Sequence, residues 1–312
     1  MRFISPLRYP GGKAKLGPYF ARILASQPAT IETYAEPYAG GVGAGLHLLA
    51  EGHISHLMVN DLNPGIAALW RCIIQQPDEI IERIQSEDVS LDAWHRHRDV
   101  YLNPADKSDL DLGFSTFFLN RCNRSGILTA RPIGGLDQSG KWKIDARFNR
   151  AELAARIRKI GSLPGSISVS EKPALDFLAA VSRRVKPVLL YVDPPYLVKG
   201  EELYMSSHSW SDHEKLAEAL SKSRHPWILT YDVDDRVRSL YPSNRCLRYS
   251  ISHTAQTQKV GREFMLFSRG LRVDDVSVAS SRVGSWVEPD AQAMSTRTDS
   301  LQQPLFADIP GA

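Results

Sequence analysis

The residues best suited to chemistry are Asp193, Pro194, Pro195 and Tyr196, which directly follow the apolar segment Val188–Val192. A short apolar run of this kind predicts a buried strand, and ligands in open α/β sheets bind at the carboxyl ends of strands. Two consecutive prolines stiffen the backbone there. An aspartate and an exposed carbonyl can both accept hydrogen bonds from one amino group, and a tyrosine ring can stack on a base. A stiffened strand exit with a capping aspartate is the alternative interpretation.

A glycine-rich turn follows an earlier predicted strand, Ile31–Ala35, and runs from Glu36 to Gly43. Glycines let the backbone approach a ligand closely and adopt positive φ. Glu36 stands at the strand end, where a phosphate would be repelled. The turn therefore favours a cofactor with cationic or hydroxyl groups over one bound through a pyrophosphate.

Two further motifs flank this turn. Asp61 directly follows the next predicted strand, Leu57–Asn60, and an acid at this position can bind ribose hydroxyls. Alternatively, Asp61 could cap the following helix. Upstream, Arg8-Tyr9-Pro10-Gly11-Gly12-Lys13 combines a tight turn with an aromatic ring and a cation. Taken alone, that segment is most simply a chain-entry turn.

The elements that must position these residues alternate between strands and helices, which predicts a doubly wound α/β sheet. The strands are predicted at Ile31–Ala35, Leu57–Asn60, Ile167–Ser170, Val188–Val192, Trp227–Tyr231 and Glu263–Phe267. The helices are predicted at Val42–Ala50, from Pro64, within Asp78–Asn120, at Arg150–Ile160 and at Ser211–Ser221, the last with Ser211 as its N-cap.

The composition excludes several protein classes. The chain has 312 residues, 43% apolar and 23% charged, with a net charge of +3, which excludes a coiled coil, a fibre and a fully disordered chain. No apolar run approaches the roughly 18 residues that span a bilayer, and the N-terminus has no signal-peptide pattern. Cys72, Cys122 and Cys246 are too far apart for a disulfide framework or a zinc cluster, which favours a reducing cytoplasm.

The charge is unevenly distributed along the chain. Residues Asp78–Asp111 carry ten acids and four bases, whereas Arg121–Lys159 carries ten bases and three acids. The second stretch, called the basic segment below, is interleaved with glycines and with Trp142 and Phe148. This mixture suits a loop-rich surface that meets phosphates and bases, and a solvated face is the alternative.

Together, the four motifs and the basic segment resemble the DNA adenine methylase family, in which the cofactor half precedes the target-recognition region and the catalytic half follows. The resemblance covers about Leu7 to Ser268. It implies a Rossmann-like methyltransferase sheet with an inserted, mainly helical target-recognition region. The implied division is a catalytic domain at 1–74 and 166–270, an insertion at 75–165, and a tail at 271–312.

The resemblance also implies S-adenosylmethionine as cofactor, no metal, and methyl transfer to the N6 amino group of an adenine flipped out of double-stranded DNA. Asp193 and the Pro194 carbonyl would accept the amino hydrogens, and Tyr196 would stack on the base. The cofactor would be bound by Tyr9, Lys13, Glu36, Pro37, Gly40, Asp61 and Asp193. The catalytic set would be Asp193, Pro194, Pro195 and Tyr196.

The basic segment would then recognise the target. Asn120, Arg121, Asn123 and Arg124 have the donors that read base edges in the major groove. Phosphate contacts are predicted for Arg131, Lys141, Lys143, Arg147 and Arg150, and a further backbone contact for Arg262 in a later polar loop. The loop after Asn120 lacks the aromatic residues usual in family members that methylate GATC, so the target sequence stays open.

The last part of the chain, 271–312, is rich in Ser, Asp, Gln and Pro and is predicted to be mostly disordered. Within it, Gln302, Leu305 and Phe306 resemble the Gln-x-x-Leu-Phe peptide by which bacterial proteins dock on the DNA sliding clamp. A chance match is the alternative. The implied partners are double-stranded DNA and, as a hypothesis, the sliding clamp. The implied location is cytoplasmic and nucleoid-associated, and no membrane association is expected.

Three rival functions remain at this stage. An N4-cytosine methyltransferase needs the same amino-group chemistry, although Asp rather than Ser before the two prolines favours adenine by resemblance. A nicotinamide-dependent oxidoreductase is disfavoured by Glu36 and by the absence of a standard pyrophosphate loop. A non-catalytic DNA-binding protein on the same scaffold is disfavoured by the intact Asp193–Tyr196 motif.

Overall fold

The computed structural model describes residues 4–8, 13–163, 166–195, 209–253, 259–274, 276–278 and 284–288. The predictions for Tyr9, for Tyr196 and for the peptide at 302–306 lie outside these residues. None of the helices within them is long and apolar enough to cross a membrane.

The described residues form a sheet in the order β3-β2-β1-β4-β5-β7-β6-β8. Strands β3, β2, β1, β4 and β5 are parallel, and β7, β6 and β8 each pair antiparallel with the preceding strand in that order. Their bounds are β1 Thr33–Glu36, β2 His56–Asn60, β3 Ile167–Ser170, β4 Val188–Val192, β5 Trp227–Asp232, β6 Arg245–His253, β7 Lys259–Phe267 and β8 Ser285–Val287. The strand order confirms the predicted doubly wound α/β sheet.

The central strands are buried on both faces, as their apolar sequences require. In β4, Leu189 and Tyr191 join a core with α1–α7, whereas Leu190 and Val192 join a second core with α8–α10. The helices are α1 Gly17–Ala25, α2 Gly43–Ala50, α3 Pro64–Gln75, α4 Pro77–Ser86, α5 Leu91–Leu102, α6 Asp109–Cys122, α7 Arg150–Gly161, α8 Ala174–Ser182, α9 Trp210–Ser221 and α10 Asp235–Leu240.

The inserted helices share their core with the sheet. Helix α6 packs closely on α3 because Gly113 has no side chain: a Cβ there would lie 2.8 Å from the backbone nitrogen of Leu69. Buried residues of α4–α7 and of the sheet belong to one continuous apolar cluster. The chain from 75 to 165 is therefore inserted in sequence between α3 and β3, and it is packed into the molecule rather than set apart from it.

Two predicted features are wrong. Helix α9 begins one residue earlier than predicted, and its N-cap is Ser209, not Ser211. The Asp212 carboxylate accepts hydrogen bonds from the Ser209 backbone N–H at 3.0 Å and hydroxyl at 2.8 Å, because Asp212 stands three residues after the cap.

The predicted disorder is also wrong for the beginning of the tail. Leu271, Val273 and Val278 are buried, and β8 pairs with β6. The Arg245 guanidinium lies 4.0 Å from the Trp286 ring centre. Scattered apolar residues in this stretch find a place on the sheet edge although they show no period of their own.

Candidate active site

Three carboxylates lie at the carboxyl edge of the parallel strands. Glu36 is the last residue of β1, Asp61 directly follows β2, and Asp193 directly follows β4. Strand β1 pairs with both β2 and β4, and the chain reverses its direction of progress across the sheet between β1 and β4. Such a switch point leaves a crevice where open α/β sheets bind ligands. We call this group of residues the catalytic edge.

The Asp193 carboxylate is held from two sides. The Thr230 hydroxyl of β5 donates a hydrogen bond of 2.6 Å to Oδ1, and the Lys13 Nζ lies 3.2 Å from Oδ2. The Tyr191 hydroxyl lies 2.8 Å from Thr230 Oγ1 and continues the network. Asp193 keeps 22% of its side chain exposed, so the carboxylate is fixed yet accessible.

Lys13 bridges Asp193 to a second, completely buried carboxylate. Its Nζ lies 3.3 Å from Oε1 of Glu263 on β7, and Glu263 Oε2 accepts a hydrogen bond from the Tyr249 hydroxyl of β6. Burial alone would lower the pKa of Lys13, but the charges of Asp193 and Glu263 raise it overall. Lys13 is therefore a firmly charged cation. Burial raises the pKa of Asp193, and the opposing influence of Lys13 does not reverse this.

Glu36 lies under the glycine-rich turn with only 4% of its surface exposed. Its Oε1 accepts a hydrogen bond of 3.2 Å from the Gly45 backbone N–H. A side chain at position 45 would not fit, because a Cβ would stand 2.6 Å from Leu57 Cδ1. Burial raises the pKa of Glu36 to about 8. A cationic ligand group beside this carboxyl would favour its ionised form, whereas an anionic group would oppose ionisation.

Asp61 ties the glycine-rich turn to the end of β2. Its two carboxylate oxygens accept backbone hydrogen bonds of 2.9 Å each from Gly40 and Asn63. Gly40 adopts a φ of 47°, and its carbonyl accepts a hydrogen bond from the Trp70 indole. Asn60 fastens the turn from below by donating a 3.0 Å bond to the Pro37 carbonyl. Burial raises the pKa of Asp61 to about 6.

The structure thus brings together the predicted residues Lys13, Glu36, Pro37, Gly40, Asp61 and Asp193, with Pro194 and Pro195 buried beside them. Sequence reasoning missed Thr230, Tyr249 and Glu263. Glu263 did carry a signal as the first residue of the predicted strand Glu263–Phe267, because four apolar residues follow it and a buried acid rarely lacks a partner.

A family model of the D12 class N6 adenine-specific DNA methyltransferases matches residues 9–259. The chain belongs to this family.

Comparison with individual proteins agrees with the family. The curated Modification methylase StsI of Streptococcus sanguinis is 27% identical over 226 residues, which are 69% of this chain and 32% of that protein. The chain therefore spans about a third of the length of that relative.

Two solved structures show weaker likeness. The rRNA methyltransferase AviRa of Streptomyces viridochromogenes covers 83% of this chain and 85% of its own, at 13% identity and a TM-score of 0.34. Protein LPL1258 of Legionella pneumophila covers 90% and 98%, at 12% identity and a TM-score of 0.35. Scores this low carry no argument, and the fold assignment rests on the strand order.

In this member of the D12 class family, two asparagines predicted to contact bases are buried and hydrogen-bonded within the protein. Asn120 and Asn123 have no exposed surface. Asn120 donates to the Arg8 and Gly126 carbonyls and accepts from the Arg8 N–H, all within 2.9 Å.

Asn123 donates 2.9 Å bonds to the Ile127 and Leu128 carbonyls and accepts a 2.6 Å bond from the Trp94 indole. The predicted base contacts of both asparagines do not fit these positions. Asn120 instead fastens the chain that leads to Tyr9–Lys13, and Asn123 shapes the turn after α6.

The predicted basic contacts divide into two groups. Arg121 and Arg150 are partly buried and donate hydrogen bonds to backbone carbonyls. Arg121 donates to the carbonyls of Pro6 and Arg147. Arg150 donates to carbonyls at the end of α4. These two arginines therefore act within the fold in this structure. The exposed group, which can meet DNA, is Arg124, Arg131, Lys141, Lys143, Arg147 and Arg262.

Proposed function

We propose that this chain transfers a methyl group from S-adenosylmethionine to the N6 amino group of an adenine turned out of double-stranded DNA. The observation that carries the proposal is the Asp193 carboxylate. It is fixed by Thr230 and Lys13 at the end of β4, on the same sheet edge as Glu36 and Asp61.

The donor set of the catalytic edge fits S-adenosylmethionine. Asp61, at the end of the second strand, stands where an acidic residue binds ribose hydroxyls. Glu36 supplies a carboxyl that can pair with a cationic group of the ligand. Lys13 is the cation among the described residues of this edge, and two carboxylates already engage it. The edge is thus suited to a cationic ligand that carries a ribose. When bound, that cofactor supplies an electrophilic methyl on a sulfonium.

The protein's part in the reaction is to prepare the nucleophile. An exocyclic amino nitrogen conjugated with its ring is a poor nucleophile, because its lone pair is delocalised. Asp193 accepts one amino hydrogen and the Pro194 carbonyl accepts the other, which localises the lone pair on N6. Holding both reactants in this geometry supplies much of the rate increase.

Methyl transfer would replace the sulfonium–methyl bond with an N6–methyl bond and would release one amino proton from N6. The raised pKa of Asp193 suits it to accept that proton transiently. Lys13 offsets the carboxylate charge before and after transfer. Tyr196, as implied by the resemblance, stacks on the base.

DNA would be held by the exposed basic residues Arg124, Arg131, Lys141, Lys143, Arg147 and Arg262. Their long, charged side chains contact phosphates without reading sequence. A DNA substrate of this kind supports the predicted cytoplasmic, nucleoid-associated location.

The test is to express the full chain in a host lacking DNA methylation and to map modified bases by single-molecule sequencing. We expect N6-methyladenine at one short motif and its loss in Asp193→Ala. Asp109→Ala is the matched control, because Asp109 pairs with Arg71 on α3, in an exposed position.

Other outcomes would revise the proposal. N4-methylcytosine at one motif would keep the chemistry and change the base. Absence of modification, with binding of S-adenosylmethionine retained, would favour a DNA-binding protein that lacks catalysis. Binding of NAD in place of S-adenosylmethionine would overturn the cofactor assignment.

The clamp hypothesis for Gln302, Leu305 and Phe306 rests on sequence alone. A truncation ending at Ser300 should lose binding to the purified clamp while it keeps methylation. Equal clamp binding by the truncated and full chains would remove the hypothesis.

A further inference from the structure

Glu263 is a buried charge that the proposed mechanism does not itself use. It lies on β7 with no exposed surface, opposite Tyr249 of β6 in the strand register. Taking a carboxylate out of water costs several kcal/mol unless it is well paired. A fold retains such a group where it positions something, so its partners indicate its role.

Those partners lead directly to Asp193. Lys13 Nζ is nearly equidistant from Glu263 Oε1, at 3.3 Å, and Asp193 Oδ2, at 3.2 Å. One cation is therefore shared by two carboxylates. If the second carboxylate were absent, Lys13 would lose this competing anion and would engage Oδ2 of Asp193 more strongly.

We infer that Glu263 is a positioning residue for methyl transfer: by sharing Lys13 with Asp193, it keeps the Asp193 carboxylate available to the amino group of the base. This inference rests on the proposed function. Tyr249 supports it by donating to the other oxygen of Glu263, which fixes the carboxylate facing Lys13.

The electrostatic surroundings of Asp193 make the inference measurable. The titratable and charged groups around it come from six elements: Lys13, Tyr34, Glu36, Tyr191, Tyr231, Tyr249 and Glu263. Thr230 adds a neutral donor. Among these, Lys13 lowers the pKa of Asp193 and Glu263 raises it. Removing the Glu263 charge should therefore strengthen the effect of Lys13 and lower the titration midpoint of Asp193.

The test is a carboxyl-carbon NMR titration of the full chain labelled at aspartate, with the Asp193 resonance assigned by its loss in Asp193→Asn. Glu263→Gln keeps the shape of the side chain, and we expect the Asp193 midpoint to fall by about one pH unit. Glu218→Gln removes the same charge from the exposed Glu218–Lys222 pair and should leave the midpoint unchanged.

A second variant keeps the inference falsifiable if Glu263→Gln does not fold. Tyr249→Phe removes a donor from Glu263, so that Glu263 attracts Lys13 more strongly and the Asp193 midpoint should rise. An unchanged midpoint in the folded variants, or movement of both variants in one direction, would overturn the inference.

Activity gives the independent readout. With S-adenosylmethionine and unmethylated bacterial DNA, the acid limb of the kcat–pH profile should move to lower pH in Glu263→Gln by the same amount as the NMR midpoint. A lower kcat with an unmoved limb would mean that Glu263 is merely structural. If the wild-type chain does not methylate DNA, the proposed function fails, whereas the NMR titration still decides whether Glu263 and Asp193 are coupled.

Discussion

The catalytic edge and the basic segment differ in how their polar side chains are used. At the catalytic edge, the polar groups converge on one another and on the backbone of the glycine-rich turn, and Asp193 stays partly exposed. At the start of the basic segment, Asn120 and Asn123 turn inward, while most arginines and lysines of the segment reach outward. One region is a preorganised cluster of polar groups at the sheet edge, and the other is a folded support that carries a charged surface.

The difference follows from chain geometry. A residue that directly follows a parallel strand is placed at the sheet edge by the strand itself, so its neighbours are set by strand order. A residue in a long loop is placed by whatever contacts that loop makes. Short amides such as Asn120 satisfy loop carbonyls well, whereas long cationic side chains reach solvent.

The largest expected effect lies at the catalytic edge and concerns Glu36. Its pKa is raised from 4.5 to about 8, so between these values the folded state holds a proton that the unfolded state has lost. The stability of the wild-type protein should therefore fall as pH rises from 5 to 8, by roughly 3.5 kcal/mol from this group. Urea unfolding at both pH values should show that Glu36→Gln removes most of this fall.

The control for this measurement is Glu218→Gln, which changes an exposed carboxyl and should leave the pH dependence intact. An equal fall in wild type and Glu36→Gln would mean that Glu36 is ionised in the folded protein. The catalytic edge would then be less dry than its geometry indicates.

The next prediction concerns Asn120, which faces inward directly before the basic segment. Asn120→Ala leaves the Arg8 N–H and the carbonyls of Arg8 and Gly126 without their partner. We expect a loss of about 3 kcal/mol in the free energy of unfolding, measured by urea denaturation. Arg124→Gln, four residues away and exposed, should change it by less than about 0.5 kcal/mol. A stable Asn120→Ala protein with altered target choice would restore the base-reading role.

Much of the catalytic edge could be predicted from sequence because each element there carries a local signal. The apolar run Val188–Val192 marks β4 to the residue, and Asp193 necessarily follows it. The beginning of the tail could not be predicted, since Leu271, Val273 and Val278 are buried by contacts with distant parts of the chain. Thr230 and Glu263 were missed because their roles arise from neighbouring strands, β5 and β7, that are far from Asp193 in sequence.

The third prediction tests whether Asp61, at the end of β2, belongs to the cofactor site. Asp61→Asn removes the charge that would accept the ribose hydroxyls, while it keeps the size of the side chain. We expect binding of S-adenosylmethionine, measured by titration calorimetry, to weaken about 10- to 100-fold, or about 2 kcal/mol. Asp109→Asn, in the Arg71 ion pair, is the control and should bind normally. Unchanged affinity in Asp61→Asn would separate the end of β2 from the cofactor site.

The smallest effect is expected on the outward face of the basic segment. Arg131→Gln and Lys141→Gln each remove one exposed charge and should weaken binding to an unmethylated DNA duplex by about 1 kcal/mol at 0.1 M salt. If each contacts a phosphate, the slope of log affinity against log salt should become shallower by about 0.9 per variant. Lys222→Gln changes an exposed residue directly after α9 and should leave the slope unchanged. Equal slopes in all three variants and wild type would mean that DNA approaches another face. The basic residues of the basic segment would then form a solvated surface. The two regions would differ only in that the catalytic edge holds fixed polar groups, whereas the basic segment supports the fold.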